Sequence, residues 1–461
     1  MVDDGLSCYD RDSLEDGGGR RSRGPGRIPL TPLVGRASEL SELLRLLTSD
    51  DTGPLTLTGP VGVGKSRLAA AVFRDAGHHF ARVCFAELDT LDPRGDDGRG
   101  TDGIDALHEA AADGTLLILD GGTRTRREVA PLVERLAGAA GGPRILTVTP
   151  RPLGLYEERR VRLDPLAVPT PADAADPQRL GRIPAVRLLL HRTRSVRPGF
   201  RLTDTNSAAV AELTRRLDGL PLAVELAAAR LKTASPAQLL RELDESPDAL
   251  RGTPADTTSR HLTMGQALEQ GWRGVDPPRR GLLASVAVFA SSFDAGDVAG
   301  TLRLSADRAH EALEELLDHS LVAGEEQPDG GLRFRMPGLV RAHARAFLTR
   351  RGAWDSVCRD HAAHLLRQAP TALPLPGGGP AEDADSDGVD PDGVDSLSPR
   401  EREVAVLVAD GLTNREVARR LGIAEWTAVN TLRKVMRKLG CASRVQVANR
   451  LRRTREQHTA A

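Results

Sequence analysis

Residues 53 to 73 read GPLTLTGPVGVGKSRLAAAVF: a short apolar run, a glycine-rich loop and the opening of a helix. No other stretch restricts the fold as strongly. Within it, GPVGVGKS fits the spacing G-x-x-x-x-G-K-S through Gly59, Gly64, Lys65 and Ser66. Glycines in such a loop let successive backbone N–H groups turn inward on phosphate oxygens. The following helix N-terminus adds its positive end, the lysine neutralises the outer phosphates and the serine hydroxyl can ligate magnesium. Gly59, Pro60, Val61, Gly62, Val63, Gly64, Lys65, Ser66 and Arg67 are therefore expected to line a phosphate site. Composition sharpens this. Of 63 basic residues only Lys65, Lys232, Lys434 and Lys438 are lysine, so the lysine that persists in the loop points to a need for an ammonium.

The residues around the loop predict what it sits on. Apolar runs recur at 82–88 (RVCFAEL), 115–120 (TLLILD), 144–149 (RILTVT) and 161–166 (VRLDPL), with helical or loop segments between them. Strands alternating with helices predict an α/β module with a parallel, doubly wound sheet. Asp120 ends one run and is the expected magnesium-side acid with Ser66. The next residues are Gly121 and Gly122, where an active hydrolase often carries a second acid. That favours a switch over a fast engine.

Residues 1–28, rich in Gly, Arg and Asp, read as a disordered N-terminus, followed by the P-loop module at 29–170. A helical region is expected at 171–260. At 261–369, helices followed by a hairpin (LVAGEE and LRFRMP joined by QPDGG) predict a winged-helix-like subdomain. Residues 370–395 hold Pro, Gly, seven acids and no base, and read as a solvated linker that could also cover a neighbouring basic face.

Net charge is −1, but it is unevenly spread. Residues 396–461 carry 14 basic and 6 acidic side chains, a balance of +8 that leaves −9 on the rest. A basic terminal module predicts a polyanionic partner. The four cysteines, Cys8, Cys84, Cys358 and Cys441, lie far apart and suggest a reduced cytoplasmic protein without zinc or a disulfide framework. No run of about 18 apolar residues suggests a membrane span.

In the basic tail, Ser398, Pro399 and Glu401 form a capping box with proline at the first helical position. Val404, Leu407 and Val408 make its apolar face. Gly411 ends that helix, and Thr413 with Glu416 opens a second that buries Val417, Ala418 and Leu421. A third, from Glu425 to Leu439, has Ala428, Leu432, Val435 and Leu439 at buried spacing. Its opposite face presents Asn430, Arg433 and Arg437, flanked by Lys434 and Lys438. Asn reads adenine, Arg reads guanine, and lysines suit phosphates, so an all-α helix-turn-helix that enters the major groove is predicted.

Two resemblances follow from these residues. LVGR (33–36), the loop, LLILD, TVTPR (147–151), GLPLAVELAAARL (219–231) and ALEELLDHSLV (312–322) resemble the STAND class of signal-transduction ATPases, in the form joined to bacterial regulators. That resemblance implies ATP or ADP with Mg2+ as cofactors. It makes Arg151 the phosphate-sensing arginine and packs Pro221 on the adenine. Pro150 stands where the family has Ser. Met336-Pro337-Gly338 stands where many members have Met-His-Asp, so the family's ADP contact lacks its side chains here.

SPRE.EV (398–404), GLTNREVARRLGI (411–423) and KLG...SR (438–444) closely resemble the LuxR-type DNA-binding domain. It implies double-stranded promoter DNA as a partner, a homodimer through the last helix, and RNA polymerase as a further partner. Contacts fall on Val429, Asn430 and Arg433, and Thr413, Arg415, Thr427, Lys434, Arg437, Lys438 and Arg444 complete the expected DNA-contacting set. Val429 stands where members often have Lys, and Thr431 where they have His. The function these features imply is a DNA-binding transcription regulator governed by nucleotide. The alternatives are an ATPase with genuine turnover tethered to DNA, and a scaffold that binds no nucleotide.

Overall fold

The apolar runs become the strands of one sheet. The computed structural model describes residues 6–11, 33–49, 53–91, 102–122, 124–138, 142–245, 250, 263–327, 330–368, 397–409, 412, 414–421, 431–432, 434–436, 438–439, 446–447 and 450–451. Strands β1 (Leu6–Asp10), β2 (Leu55–Thr58), β3 (Arg82–Glu87), β4 (Thr115–Asp120), β5 (Arg144–Val148) and β6 (Arg159–Arg162) are ordered β1-β3-β4-β5-β2-β6. All neighbours run parallel except β1, which lies antiparallel on β3. One strand, β5, thus separates the loop's strand β2 from β4, which ends in Asp120.

Every residue of β4 is buried, as expected for a parallel strand covered on both faces. Leu116 and Ile118 pack with Leu68 and Val72 of the helix that follows the loop, Lys65–Asp75. Leu117 and Leu119 face the other way, against Val129 and Val133 of helix Arg126–Ala137. Each fully buried leucine contributes about 1.5–3 kcal/mol of transfer free energy.

Two expectations need correction here. Residues 6–10 are not disordered: they form the edge strand β1, and Tyr9 packs edge-on against Phe73 at 4.9 Å. Nor are all four cysteines thiols. Cys8 and Cys84 stand opposite each other in the β1–β3 register and are joined by a disulfide, 76 residues apart in sequence. That separation follows no motif spacing, so only the strand pairing reveals it. The fifth apolar run is also displaced: β6 spans Arg159–Arg162 rather than 161–166. As an edge strand its residues alternate between half-buried and exposed, and its arginines hide the period.

The helical piece at 206–231 is two helices, Asp204–Arg216 and Pro221–Arg230. Between them Asp218 and Gly219 take φ of 51° and 63°. A Cβ on Gly219 would meet the Leu166 carbonyl oxygen at 2.0 Å, so only glycine fits. Pro221 then starts the next helix with its preset φ. Farther on, helices Pro277–Ser285, Ala295–Leu302 and Ala306–Asp318 precede a hairpin of β7 (Ala323–Glu326) and β8 (Leu332–Arg335). This is the expected winged-helix order, closed by helix Gly338–Arg350.

Residues Met1–Thr371 form one compact unit and Ala372–Ala461 a second. In the second, helices Pro399–Ala409 and Asn414–Leu421 share a core of Val404, Val408, Val417, Leu432, Val435 and Leu439. These are residues expected to be buried there. The acidic linker, 370–395, lies outside the described residues.

Candidate nucleotide site and DNA-binding unit

The glycine-rich loop joins β2 to helix Lys65–Asp75, with φ of 142°, 81° and 97° at Gly59, Gly62 and Gly64. These left-handed values fit glycine and turn the backbone N–H groups inward. A Cβ at Gly64 would have nothing within 4 Å, which leaves an open face at the helix N-terminus. Three segments clasp the loop. A Cβ at Gly59 would meet the Leu163 carbonyl oxygen at 2.4 Å, and Leu222 donates its N–H to the Gly62 carbonyl at 3.1 Å. From below, the buried Arg36 of LVGR donates to the carbonyls of Val63 and Asp164 at 3.5 and 2.6 Å and pairs with Glu39 at 2.6 Å. The loop is therefore fixed at Gly59, Gly62 and Val63 by chain segments far apart in sequence.

Lys65 donates to the carbonyls of Gly59 and Pro60 at 2.8 and 3.1 Å. Burial of its ammonium pushes its pKa down to about 8, against the opposing pull of Asp120. Asp120 is buried at the end of β4 and accepts from the Gly122 N–H at 3.2 Å. Ser66 is exposed beside Lys65 at the start of the helix. The donor set thus suits a phosphate with a magnesium ion: inward N–H groups, an ammonium, a hydroxyl and a carboxylate. Among the described residues no group of three or more His, Cys, Asp or Glu could hold a metal by itself. A cation here would need phosphate oxygens as well. Arg67, expected to line the site, instead pairs with Glu225 at 3.0 Å, and Arg192 joins the same carboxylate at 2.8 Å.

Arg151 follows β5. Because β5 pairs with β2 and Thr149 donates to the Leu57 carbonyl at 3.2 Å, Arg151 emerges at the same sheet edge as the loop. Its guanidinium lies 2.8 Å from His319 Nε2 and donates to the Gly274 carbonyl at 3.2 Å. Burial, with the nearby Arg151 cation, pushes His319 down to about 4, so the imidazole is neutral at pH 7 and accepts from Arg151. A Cβ at Gly274 would come within 2.8 Å of the His319 ring.

A second contact joins the same parts. The half-buried Asp218, just before Gly219 and Pro221, accepts the Leu339 N–H at 2.8 Å. Burial raises its pKa, and the N–H groups of Gly338 and Leu339 oppose that rise. These are donors that a helix N-terminus leaves without partners. The carboxylate therefore caps the helix beginning where the expected Met-His-Asp side chains are missing. Sequence reading missed both His319 and Asp218. The DGLP turn offered a weak sign of Asp218, and His319 lay in the HSLV stretch without a recognisable pattern.

In the second unit the capping box is present: Ser398 donates its N–H to Glu401 at 2.8 Å, and Glu401 donates its N–H to Ser398 Oγ at 3.3 Å. Glu401 also pairs with Lys438 at 2.7 Å, and the lysine and capping N–H hold its carboxyl down to about 2. Lys438, expected on DNA phosphate, is thus a tie between the first and third helices. Lys434 is exposed. Thr413, Thr427, Val429, Asn430, Arg433, Arg437 and Arg444 lie outside the described residues, as does the side chain of Arg415.

Comparisons with known proteins bear on both ends. A model of bacterial regulatory proteins of the luxR family matches residues 395–451, and one of winged helix-turn-helix domains matches 275–349. The uncharacterized protein Rv0894 of Mycobacterium tuberculosis is 30% identical over 361 residues, covering 74% of this chain and 87% of that protein. This chain belongs to the same family as Rv0894 and carries a LuxR-type DNA-binding domain at 395–451. It is also similar to the proposed HTH-type transcriptional regulator Rv0890c of Mycobacterium tuberculosis, 29% identical over 306 residues. That match covers 63% of this chain and 33% of the relative. The basic tail is 42% identical over 55 residues to the nitrate/nitrite response regulator protein NarL of Escherichia coli, covering 12% of this chain and 26% of NarL. Among solved structures, a STAND protein with a tetratricopeptide repeat sensor from Pyrococcus horikoshii covers 74% of this LuxR-type regulator and 47% of its own chain, at 16% identity and a TM-score of 0.27. Among the described residues no helix is long and apolar enough to cross a membrane.

Proposed function

We propose that this DNA-binding regulator is set by nucleotide. ATP or ADP with Mg2+ at the 59–67 loop would govern the affinity of the C-terminal unit for double-stranded promoter DNA. The observation that supports it is the position of Arg151, at the sheet edge of the loop yet bonded to His319 and Gly274 of the winged-helix region. One guanidinium is thus placed to serve either a phosphate or the interface. An anion that took Arg151 would leave His319 and Gly274 without it and weaken that contact.

The loop N–H groups and Lys65 would hold the phosphates, Ser66 and Asp120 the magnesium, and Pro221 would flank the base. The bound nucleotide would supply a negative charge that differs between its ATP and ADP forms. Asp218 holds helix Gly338–Arg350 on the DGLP turn, so movement at Pro221 would reach the winged helix directly. Dimerisation through the last helix belongs to the same proposal. Its Val447 and Leu451 are buried in the unit's own core, so a partner copy would meet other side chains.

The test is DNA affinity on a selected site with ATP, with ADP and with neither. Coupling of about 1–3 kcal/mol predicts a difference of roughly fivefold or more between states. Equal affinities in all three would refute nucleotide control. Absence of any nucleotide binding would leave the scaffold alternative.

A further inference from the structure

The position after Asp120, where a second acid would stand, is closed in this fold. Gly121 donates its N–H to the Val148 carbonyl at 2.9 Å, and a Cβ there would meet that same oxygen at 2.9 Å. An acid supplied by this strand would need the β4–β5 edge to open. A carboxylate stands instead on the neighbouring strand. β3 and β4 pair with Glu87 opposite Asp120, so both acids lie at C-terminal strand ends.

Side chains alternate along a strand, which decides the face. Val83 and Phe85, two and four residues before Glu87, pack with Leu68 and Val72 of the helix after the loop, as do Leu116 and Ile118 before Asp120. Cys84, Ala86, Leu117 and Leu119 belong to the opposite face. Glu87 and Asp120 therefore share the face that carries Lys65. Glu87 is the more distant of the two, since β3 lies beyond β4 in the strand order. It is 8% exposed and Asp120 is 3% exposed. The chain beyond Glu87 is fixed as well. Leu88 donates to the Asp120 carbonyl at 2.9 Å, and Arg124 donates to the carbonyls of Leu88 and Leu91 at 2.8 and 2.7 Å.

We propose that Glu87 is a catalytic residue, the general base for ATP hydrolysis at this loop; the proposal rests on the nucleotide reading above. Glu87 orients a water and accepts its proton, which later passes to solvent. The water oxygen forms a bond to the γ-phosphorus while the bond from that phosphorus to the β,γ-bridging oxygen breaks, its electron pair leaving with ADP. The switch would then reset itself, with Asp120 on the magnesium side and Glu87 on the water side.

The test uses the full chain as wild type, Glu87→Gln and Lys65→Ala, with binding of a fluorescent ATP analogue, single-turnover conversion of ATP, the identity of the nucleotide retained after gel filtration, and the thermal midpoint. Glu87→Gln should bind ATP within about threefold of wild type and melt with it. Its turnover should fall by about 10²-fold or more, with ATP retained where wild type retains ADP. Turnover within threefold of wild type, lost binding with a lowered midpoint, or a wild type that binds ATP without ever converting it would each overturn the assignment. A wild type that binds no more ATP than Lys65→Ala would instead sink the nucleotide reading, and this inference with it.

Discussion

Two lysines separate the two ends of this molecule. Among the described residues Lys65 donates to backbone carbonyls of its own loop, and burial pushes it down to about 8. Lys438 is partly exposed, pairs with Glu401, and ties one helix to another. In a chain that spends arginine almost everywhere, both look equally selected. Their surroundings assign them different work. A buried ammonium facing carbonyls is poised for an anion that would answer its charge better, whereas an ammonium already paired with a carboxylate is part of the frame. The same contrast runs through the two regions. The loop is held by segments that lie between Arg36 and Leu222 in the sequence, while the second unit depends on contacts within one small core.

That contrast can be broken most sharply at Lys65. Lys65→Ala should weaken binding of a fluorescent ATP analogue by at least ~100-fold, about 2.7 kcal/mol, and leave hydrogen exchange of helix Pro399–Ala409 unchanged. Exchange that changed in that helix without nucleotide present would show that Lys65 also supports the second unit's fold. Next comes the winged-helix contact. Asp218→Ala removes the acceptor for buried N–H groups and should destabilise the first unit by about 2 kcal/mol in denaturant melts. A loss below ~0.5 kcal/mol would make Asp218 a bystander.

At the other end, Glu401→Ala removes both the cap and the partner of Lys438. It should cost about 1 kcal/mol, seen as faster exchange in helix Pro399–Ala409. Lys438→Ala should cost less, because the capping box survives. If it also flattened the salt dependence of DNA binding by a full charge, Lys438 would be a phosphate contact after all.

The smallest effects come from pH. Neutralising Lys65 above about 8 should weaken nucleotide binding roughly fivefold between pH 8 and 9, a change absent in Lys65→Ala. His319 is depressed from 6.5 to about 4. The unfolded chain therefore binds its proton first as the pH falls. The stability of the Arg151 contact is complete above about 6.5 and is lost progressively toward pH 4. Glu401, held at about 2, gives stability that is complete above about 4.5 and lost as the pH falls toward 2. Thermal midpoints of His319→Leu, flat between pH 6.5 and 4 where wild type falls, would check the first of these. A wild-type slope retained by the variant would contradict it.

Features carried by adjacent residues were legible in the chain. The P-loop needs glycine, lysine and serine at set spacing, the buried strand needs an unbroken apolar run, and the capping box needs Ser398 and Glu401 three apart. The order of winged-helix elements followed from the same local signals. What the sequence hid were pairings between strands and between subdomains. Cys8 meets Cys84 only because β1 lies antiparallel on β3. β6 was misplaced because arginines on both of its faces hide the alternation in burial.

By itself, then, the sequence determined which chemistry stands at each end: a phosphate loop in an α/β module and a basic helix-turn-helix. Tertiary structure decided what faces that chemistry. It gave Arg151 to His319, Asp218 to the helix after Pro337, Glu87 to the edge beside Asp120 and Lys438 to Glu401. Local motifs are set by spacing along the backbone, which a sequence prints directly. Partners far apart in sequence are set by strand register and packing, which appear only once the cores have formed.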